Sequence, residues 1–334
     1  MPQDGPAIGV IGAGSLGFHH ARILAGLEGV RMVGVFDLDP ARTKHAATEL
    51  GVETHPSMDA LLEVADAVVV AVPTLAHEAV AIAALEQGVH VLIEKPMAPT
   101  LEAADRILTV AESSGAVVQV GHVERFNRAV LAAEPYLDEP RFIESHRLAP
   151  FNSRGTDVAV VLDLMIHDVD LVQSLVGGGV SDIVATGIPI FTDTVDIASA
   201  RLTFEGGAVA NLTASRVSAE RMRKLRIFQT SGYLSLDLAA GSGEFLRLKR
   251  GLPVFSEDGA WEGVEHEGLA SLVERIPLVG EDAEPLAKEL ENFRDAVRGL
   301  TPPAVSGQDG RSALAVSLAI EDRIKAHVAN TYSA

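Results

Sequence analysis

The stretch that decides the fold is Ala7-Ile8-Gly9-Val10-Ile11-Gly12-Ala13-Gly14-Ser15-Leu16-Gly17, near the start of the 334-residue chain. It begins as a short apolar run, typical of a buried strand, and its glycines follow the spacing G-x-G-x-x-G. Apolar residues then recur at helical spacing from Ser15 to Leu27. At such a junction Gly12 permits a tight turn, Gly14 lets backbone N–H groups approach a pyrophosphate, and Gly17 lets the helix pack closely on the strand. The helix N-terminus adds the positive end of its dipole, so the stretch predicts a dinucleotide-binding turn.

Asp37 lies 20 residues after Gly17, at the end of a second apolar run from Val30 to Phe36. A carboxylate there accepts hydrogen bonds from the adenosine ribose hydroxyls and repels a 2′-phosphate, which favours NAD over NADP. Asp39 adds to this repulsion, whereas Arg42 is able to pair with a phosphate and is the argument for NADP. A glycine turn that binds no nucleotide is the alternative interpretation.

Outward from this stretch, short apolar runs alternate with segments of helical periodicity. The predicted strands are 7–12, 30–36, 67–72, 89–93 and 117–120. The predicted helices are 15–27, 40–50, 74–87 and 100–114, the last capped by Thr100 and stopped by Gly115. Strands separated by helices of this length imply right-handed crossovers and a parallel sheet that is covered on both faces. Residues 1–125 are therefore predicted to form a doubly wound α/β domain of the Rossmann type.

Hairpin signals replace this alternation after about Asn127. Turn residues separate the apolar runs 197–204 and 208–214, and again 225–228 and 233–238. Helices are predicted at 158–175, 286–300 and 311–327, and the segment 241–279 shows no clear pattern. Residues 126–334 are therefore predicted to form an α+β domain with an antiparallel sheet.

The composition excludes several classes of function. Lys and Arg number 27 against 46 Asp and Glu, a formal charge of −19, which is the wrong sign for binding nucleic acid or an anionic membrane. The absence of cysteine excludes disulfides, thiolate metal sites and cysteine nucleophiles. The apolar runs are shorter than the ~20 residues of a membrane helix, and the first residues lack the basic region of a signal peptide. We expect a soluble cytoplasmic protein without a metal.

Polar side chains cluster where the later strands end. The third predicted strand is followed by Pro73, Thr74 and His77, the fourth by Glu94-Lys95-Pro96 and the fifth by Gly121-His122. In such sheets the ligand binds outside the carboxyl ends of the strands. A lysine at this edge is able to hydrogen-bond a substrate hydroxyl and to stabilise the alkoxide from which a hydride leaves. Ordinary loop histidines and a solvated lysine are the alternative interpretations.

Asp163 and His167 form a second candidate group on the predicted helix 158–175. Residues four apart share one helix face, and a carboxylate beside an imidazole fixes its tautomer and raises its pKa. Such a pair suits a general base that takes the proton of a carbinol. Asp168 and Asp170 lie nearby, so a metal-ligand set is one alternative, and the polar face of an amphipathic helix is the other.

Gly12 to Gly17, Glu94-Lys95-Pro96, and Asp163 with His167 together resemble the Gfo/Idh/MocA family of nicotinamide-dependent oxidoreductases, in order and spacing along nearly the whole chain. The resemblance implies a second domain with a large, mostly antiparallel sheet, through whose exposed face members form dimers or tetramers. It also implies hydride transfer between a carbinol and NAD, with Lys95, Asp163 and His167 as catalytic residues and His167 as the base. The expected cofactor contacts are Gly12, Gly14, Ser15, Leu16, Gly17, Asp37, Pro73, Thr74, His77, Glu94, Lys95 and His122.

Four further stretches resemble the branch of the family that acts on UDP-N-acetylamino sugars: Gly121 to Asn127, Asp163 to Asp170, Ala214 to Ser218 and Arg221 to Arg226. The resemblance implies oxidation of UDP-N-acetylglucosamine at C3. It also implies a partner aminotransferase that uses the keto product, in lipid A biosynthesis. Ala129 stands where many relatives have proline.

A cluster of basic residues gives this branch physical support. Five cations lie within 11 residues of an acidic chain: Arg216, Arg221, Arg223, Lys224 and Arg226. A diphosphate needs such groups. The expected substrate contacts are Lys95, Arg125, Asn127, Arg147, Arg154, Asp163, His167 and Arg216. A basic strand that pairs with acidic neighbours or with a second subunit is the alternative.

Other functions stay open from the sequence. The enzyme could act on a free sugar, an inositol or an acyclic ketone. A biliverdin-reductase-like activity would share the first domain but would leave Asp163 and His167 unexplained. The chain could also be a nucleotide-binding regulator without turnover, against which the set of Lys95, Asp163 and His167 argues.

Overall fold

The computed structural model describes residues 5–152, 158–249 and 272–332. They form two compact units. The first contains the residues up to Phe126 together with Ala283–Ala319, and the second contains the described residues of Asn127–Asp282 and those from Ile320 onward. The segment 283–319 was predicted to belong to the second domain, and the structure packs it with the first unit. The reason is apolar burial, because Leu290 and Phe293 are fully buried in the core cluster that also contains Ile8.

The first unit is built on a five-stranded, wholly parallel sheet. Its strands are β1 (Ala7–Ile11), β2 (Arg31–Phe36), β3 (Ala67–Val70), β4 (His90–Glu94) and β5 (Val118–Gly121), in the order β2-β1-β3-β4-β5. Every residue of β1 and β3 is buried, as expected for a parallel sheet covered on both faces. The predicted doubly wound α/β domain is confirmed.

The helices of this unit are α1 (Ser15–Gly26), α2 (Pro40–Leu50), α3 (Met58–Leu62), α4 (Thr74–Leu85) and α5 (Leu101–Ser114), with α8 (Pro285–Val297) and the first part of α9 (Gly307–Tyr332) added from the end of the chain. Three of them begin at a residue whose side chain caps them: Asp39 caps α2, Ser57 caps α3 and Thr100 caps α5. The Thr100 side chain accepts the N–H of Ala103, and Gly115 ends α5 in the left-handed region at φ +70°. The short helix α3 was not predicted.

The second unit contains an eight-stranded, mostly antiparallel sheet. Its strands are β6 (Phe142–Leu148), β7 (Val180–Ile188), β8 (Ile197–Phe204), β9 (Val209–Ser215), β10 (Met222–Gln229), β11 (Gly232–Asp237), β12 (Ser242–Leu248) and β13 (Val273–Val279). Their order is β13-β12-β11-β10-β6-β9-β8-β7, and only the pairing of β6 with β9 is parallel among the described strands. Burial alternates along β6 and β8, so one face packs inward and the other is open. The predicted α+β architecture is confirmed.

The segment 241–279, which shows no clear pattern in the sequence, contributes β12 and β13, and these strands pair with each other across more than twenty intervening residues. Residues 250–271 lie outside the described residues. The remaining helices of the second unit are α6 (Arg128–Ala133) and α7 (Ile166–Val176). A π-helical turn, Val161–Met165, precedes α7, so the single predicted helix 158–175 is two segments of different geometry.

Among the described residues, no helix is both long enough and apolar enough to span a bilayer.

Candidate active site

The glycine turn has the close contacts that the sequence pattern requires. Gly12 adopts φ +94°, and a Cβ added to it would lie 2.5 Å from the Ala71 carbonyl oxygen. A Cβ on Gly17 would lie 1.7 Å from the carbonyl oxygen of Gly12, so only glycine lets α1 approach β1 this closely. A Cβ on Gly14 would instead meet only a nitrogen of Arg42, at 3.7 Å. Gly14 is the N-cap of α1 and faces open space, where backbone N–H groups are able to receive a pyrophosphate.

A cleft of about 590 Å³ opens beside this turn, at the carboxyl ends of β1, β2 and β3. Its size and mostly apolar lining suit an adenosine moiety. Three leucines are exposed at the same edge, Leu16 at 53%, Leu38 at 90% and Leu75 at 85%. The lining consists of Ile11, Gly12, Phe36, Asp37, Leu38, Asp39, Arg42, Met58, Ala71, Val72, Pro73, Ala76 and Val80. The residues present therefore fit a dinucleotide, with Gly12 to Gly17 holding its pyrophosphate and Asp37 facing its ribose.

Asp37 connects the end of β2 to the glycine turn. One carboxylate oxygen accepts the N–H of Ala13 at 2.7 Å, and the other accepts the N–H of Asp39 at 2.8 Å. The Arg42 guanidinium lies 3.7 Å from Asp37 and 3.5 Å from Asp39. In the sequence, Arg42 was the argument for NADP, but in the structure its guanidinium faces two carboxylates. The local charge favours NAD, because a 2′-phosphate would have to compete with both aspartates.

His77 was predicted to contact the cofactor, and the structure gives it a different place. The ring is buried on α4, with Nδ1 3.0 Å from the Pro96 carbonyl oxygen and Nε2 2.9 Å from that of Val72. Burial lowers the pKa of His77. Because both ring nitrogens face backbone oxygens, His77 braces the loops after β3 and β4 and does not point into the cleft. Pro73, which lines the cleft, and Thr74, which begins α4, keep positions compatible with the prediction.

Glu94, Lys95 and a residue that sequence reasoning missed, His20, meet at the end of β4. Glu94 is buried, and its Oε1 lies 2.7 Å from Nε2 of His20, which is fully buried on α1. Its Oε2 accepts the backbone N–H of Lys95 at 3.2 Å. Both oxygens of Glu94 therefore have partners within the protein, and its contact with the cofactor stays a prediction. The sequence did contain a signal for His20. It is a polar residue on the same face of α1 as Gly17 and Leu24, and that face is buried.

Asp163 and His167 are half-buried and lie on either side of the junction between the π-helical turn and α7. The N–H of Ile166 bonds to the carbonyl oxygen of Val161, five residues back. A π turn holds more residues per revolution than an α-helix, so residues four apart lie closer to one axial line. The pairing of Asp163 with His167 stays a prediction, and it spans the junction of two helical segments of different geometry. π-Helical turns are also frequent at functional sites.

Arg147 was predicted to bind the substrate, but a carboxylate within the same unit takes its guanidinium. Its Nε lies 2.8 Å from Oδ2 of Asp168, and its Nη2 lies 3.0 Å from Oδ1, in a bidentate pair that is buried between β6 and α7. A buried charge is tolerated only when it is paired in this way. The same bonds remove Asp168 from the metal-ligand alternative, since both of its oxygens are used.

Arg216, also predicted to bind the substrate, is instead the centre of a buried cluster. Its Nη2 lies 2.6 Å from the Val158 carbonyl oxygen and 3.0 Å from that of Val195, and its Nε lies 3.2 Å from Oδ1 of Asp196. Asp196 in turn accepts the backbone N–H groups of Ile190, Phe191 and Thr192. Burial would raise the pKa of Asp196, but these donors hold it below the usual value. The cluster fixes the chain that leads into the π-helical turn.

Asn127 has an internal role as well. Its Oδ1 caps α6 by accepting the N–H of Ala129, and its Nδ2 donates to the Leu238 carbonyl oxygen at 2.8 Å. The predicted contact of Asn127 with a sugar is therefore not supported. Arg154 lies outside the described residues. Arg226 is exposed on the open sheet face, 3.5 Å from Glu144, as in the alternative interpretation of the basic cluster.

Comparison with known proteins adds independent findings. A family model described as an oxidoreductase family with an NAD-binding Rossmann fold matches residues 7–122, and the GFO/IDH/MocA C-terminal domain matches residues 134–235. Over 325 residues the chain is 38% identical to the UDP-N-acetylglucosamine 3-dehydrogenase of Acidithiobacillus ferrooxidans, covering 95% of this chain and 97% of that protein. A solved structure of that organism's UDP-N-acetylglucosamine 3-dehydrogenase matches with a TM-score of 0.87 and 36% identity, covering 96% and 98% of the two chains. The myo-inositol 2-dehydrogenase of Thermotoga maritima is 25% identical over 95% of this chain and 96% of its own length.

The charges around Arg42 predict how the choice of cofactor can be changed. In a double variant, Asp37→Asn with Asp39→Ser, both carboxylates are lost while acceptors for the Ala13 and Ala41 N–H groups remain. We expect the ratio of kcat/KM for NADP to that for NAD to rise by roughly 10- to 100-fold, because Arg42 becomes able to pair with the 2′-phosphate. Glu49→Gln, an exposed change on the same helix, is the control. An unchanged ratio in the double variant would contradict this account.

The Arg216 cluster predicts a loss of stability and not a loss of substrate affinity. Arg216→Met leaves Asp196 buried without its cation, which should lower the free energy of unfolding by about 3–5 kcal/mol in a urea titration. The matched control is Arg201→Met on β8, since Arg201 is exposed and should change little. Wild-type stability combined with a raised substrate KM in Arg216→Met would restore the original prediction that Arg216 binds the substrate.

Proposed function

The chain belongs to the Gfo/Idh/MocA family of oxidoreductases, and from this membership we propose that it oxidises the C3 carbinol of UDP-N-acetylglucosamine. Its first unit is an NAD-binding Rossmann domain. The observation that carries the proposal is the 38% identity over 95% of the chain to a protein of that activity, together with the structural match at a TM-score of 0.87. Both matches cover at least 95% of the chain and so include the second unit, which carries the proposed base His167.

In the proposed reaction, each retained site residue has one task. His167 takes the proton of the substrate hydroxyl, and Asp163 orients the imidazole. The Lys95 ammonium hydrogen-bonds the same oxygen and stabilises the charge that develops on it. When it is bound, NAD⁺ supplies the acceptor for the hydride of the carbinol carbon. Gly12 to Gly17 position the pyrophosphate.

Diphosphate recognition has fewer candidates than the sequence indicated. Arg147 and Arg216 are buried in pairs of their own, so neither is available to a phosphate. Arg125, which is half-buried, is the basic residue that we propose for this contact within the described part of the chain, as the resemblance to the family implies. Arg154 remains a proposal from the sequence.

An oligomer is part of the proposal. The open face of the eight-stranded sheet carries an aromatic row in which the Phe228 ring packs at a tilt against those of Phe142 and Tyr233, at centroid distances of 5.6 and 4.6 Å. Arg226 and Glu144 form an ion pair beside this row. Such a face, apolar in one row and charged in the next, suits burial against a second copy of the chain as a homodimer or homotetramer. The mass in solution, measured by light scattering, tests this directly.

The chemistry of the product indicates the next reaction. A 3-keto sugar nucleotide is a substrate for transamination, so we propose that an aminotransferase consumes it and that the resulting amino sugar serves lipid A biosynthesis. The absence of cysteine and the use of NAD support a cytoplasmic location for this reaction.

A substrate panel tests the proposed function. Purified protein with NAD⁺ is offered UDP-N-acetylglucosamine, its uronic acid, free glucose and myo-inositol, with hydroxylamine present to trap a ketone. Reduction of the nicotinamide with UDP-N-acetylglucosamine alone is the expected result. Turnover confined to free polyols would favour the inositol or free-sugar alternative, which the relative from Thermotoga maritima represents. Bound NAD without turnover on any compound would favour a regulator.

Variants of the proposed catalytic residues test the roles. Lys95→Ala and His167→Ala should each lower kcat by roughly 10²–10⁴-fold, because each loses a group that acts on the reacting oxygen. The affinity for NAD should change little in His167→Ala. If both residues act on one oxygen, the effects in the double variant should be smaller than the product of the single effects. Near-normal turnover in either single variant would remove that residue from the mechanism.

A further inference from the structure

A buried carboxylate lies directly beside Lys95, and it is held from two sides. Glu94 is the last residue of β4, with only 8% of its surface exposed, and it contacts His20, which has none exposed. The distance from Glu94 Oε1 to His20 Nε2 is 2.7 Å, and Oε2 accepts the Lys95 backbone N–H at 3.2 Å. His20 and Glu94 are 74 residues apart in the sequence. The contact therefore joins the helix of the glycine turn to the strand that carries the lysine.

The charge of Glu94 follows from its neighbours. Burial alone would raise its pKa, but the hydrogen bond from His20 and the charge of Lys95 hold the pKa of Glu94 below its usual value. Glu94 is thus ionised at neutral pH, so Nε2 of His20 carries the proton that lies between them. Within the described residues, Nδ1 of His20 is buried and meets no hydrogen-bond partner. The imidazole therefore serves as a single donor directed at the carboxylate.

Strand β5 also packs against the carboxylate of Glu94. Gly121 pairs with Glu94 across the sheet, and a Cβ on Gly121 would lie 3.1 Å from Glu94 Oε2. A side chain there would have to displace the carboxylate by a few tenths of an ångström. His77 on α4 is the further titratable group that this carboxylate influences, since the charge of Glu94 opposes the effect of burial on the pKa of His77. The carboxylate is therefore confined from α1, β4 and β5, and its position is fixed by packing.

We infer that His20 and Glu94 are positioning residues for Lys95. The bond from His20 fixes the ionised carboxylate, and the carboxylate fixes the backbone of Lys95 and favours the charged form of its side chain. This inference rests on the proposed function in one respect only, that the Lys95 ammonium contacts the reacting oxygen. It assigns Glu94 a role toward the lysine that the sequence analysis did not predict.

The electrostatic part of the inference is testable without substrate. The rate at which an acylating reagent labels the Lys95 amine is followed by mass spectrometry of the Lys95 peptide as a function of pH, in wild type and in Glu94→Gln. Glutamine keeps the size of the side chain and removes its charge. Loss of that charge makes deprotonation of the ammonium easier, so the labelling midpoint should move to lower pH by about one unit. An unchanged midpoint would overturn the inference.

The hydrogen bond from His20 is tested by a pair of variants. His20→Leu removes the donor, whereas His20→Gln retains an N–H near the position of Nε2. Without the donor, Glu94 should take up its proton at higher pH. The acidic limb of the kcat/KM profile of His20→Leu should therefore move to higher pH, and kcat should fall by about tenfold while KM for NAD changes little. His20→Gln should restore both the limb and kcat. Equal impairment of the two variants would show that His20 only fills space.

His90→Leu is the matched control, because His90 stands at the other end of β4. It also makes a partly buried hydrogen bond, in which its Nδ1 accepts the Val117 N–H at 2.8 Å. Its loss should lower thermal stability and leave both the labelling midpoint and the acidic limb where they are in wild type. A shift in this control equal to that in the His20 or Glu94 variants would overturn the inference. If wild type oxidises no sugar nucleotide, the proposed function fails, while the labelling of Lys95 still decides the electrostatic part.

Discussion

The close approach of α1 to β1 is the constraint on which the first unit depends. No side chain fits at Gly17, since its Cβ would lie 1.7 Å from a backbone oxygen. This contact aims the N-terminus of α1 at the edge of the sheet where ligands bind, and it leaves Gly14 facing open space. It also places the next inward-facing polar residue of the helix, His20, against Glu94 at the end of β4. The steric requirement at Gly17 thus shapes the predicted pyrophosphate-binding turn. It also places His20 where it bonds to the carboxylate that holds the backbone of Lys95.

Two buried arginines of the second unit are each paired with a buried aspartate. The bidentate pair of Arg147 with Asp168 and the cluster of Arg216 with Asp196 each join a strand of the large sheet to the segment that carries Asp163 and His167. Removing an unpaired guanidinium from water is costly, so a buried arginine in a folded protein is usually one that already has its carboxylate. An arginine in an acidic chain is therefore weak evidence for an anionic ligand until its burial is known. This is why two arginines that the sequence assigned to the substrate belong to the scaffold.

In the second unit, hydrogen bonds fix the residues just before the π-helical turn. The Arg216 cluster fixes Val158, three residues before that turn begins, and the N–H of Val160 donates to the Val195 carbonyl oxygen at 3.0 Å. The residues just before the turn are thus restrained by hydrogen bonds from two sides. The buried cluster provides that restraint, while the opposite face of the same sheet stays open and aromatic. The buried side of the sheet thus carries the cluster that restrains the segment of the proposed acid–base pair, and the open side carries the aromatic row.

Local patterns in the sequence were sufficient for the glycine turn, the five parallel strands, the caps of α5 and the family. Each of these is encoded within a few consecutive residues, whose periodicity or backbone requirements are visible without knowledge of the rest of the chain. The tertiary structure alone decided which polar residues face a ligand and which face each other. His20 meets Glu94 from 74 residues away, and Arg216 meets Val158 from 58 residues away. The pairing of β12 with β13 and the packing of 283–319 within the first unit were likewise visible only in the tertiary structure. Such partners are brought together only by the packing of whole elements, and no short-range pattern records which distant residue a buried polar group will find.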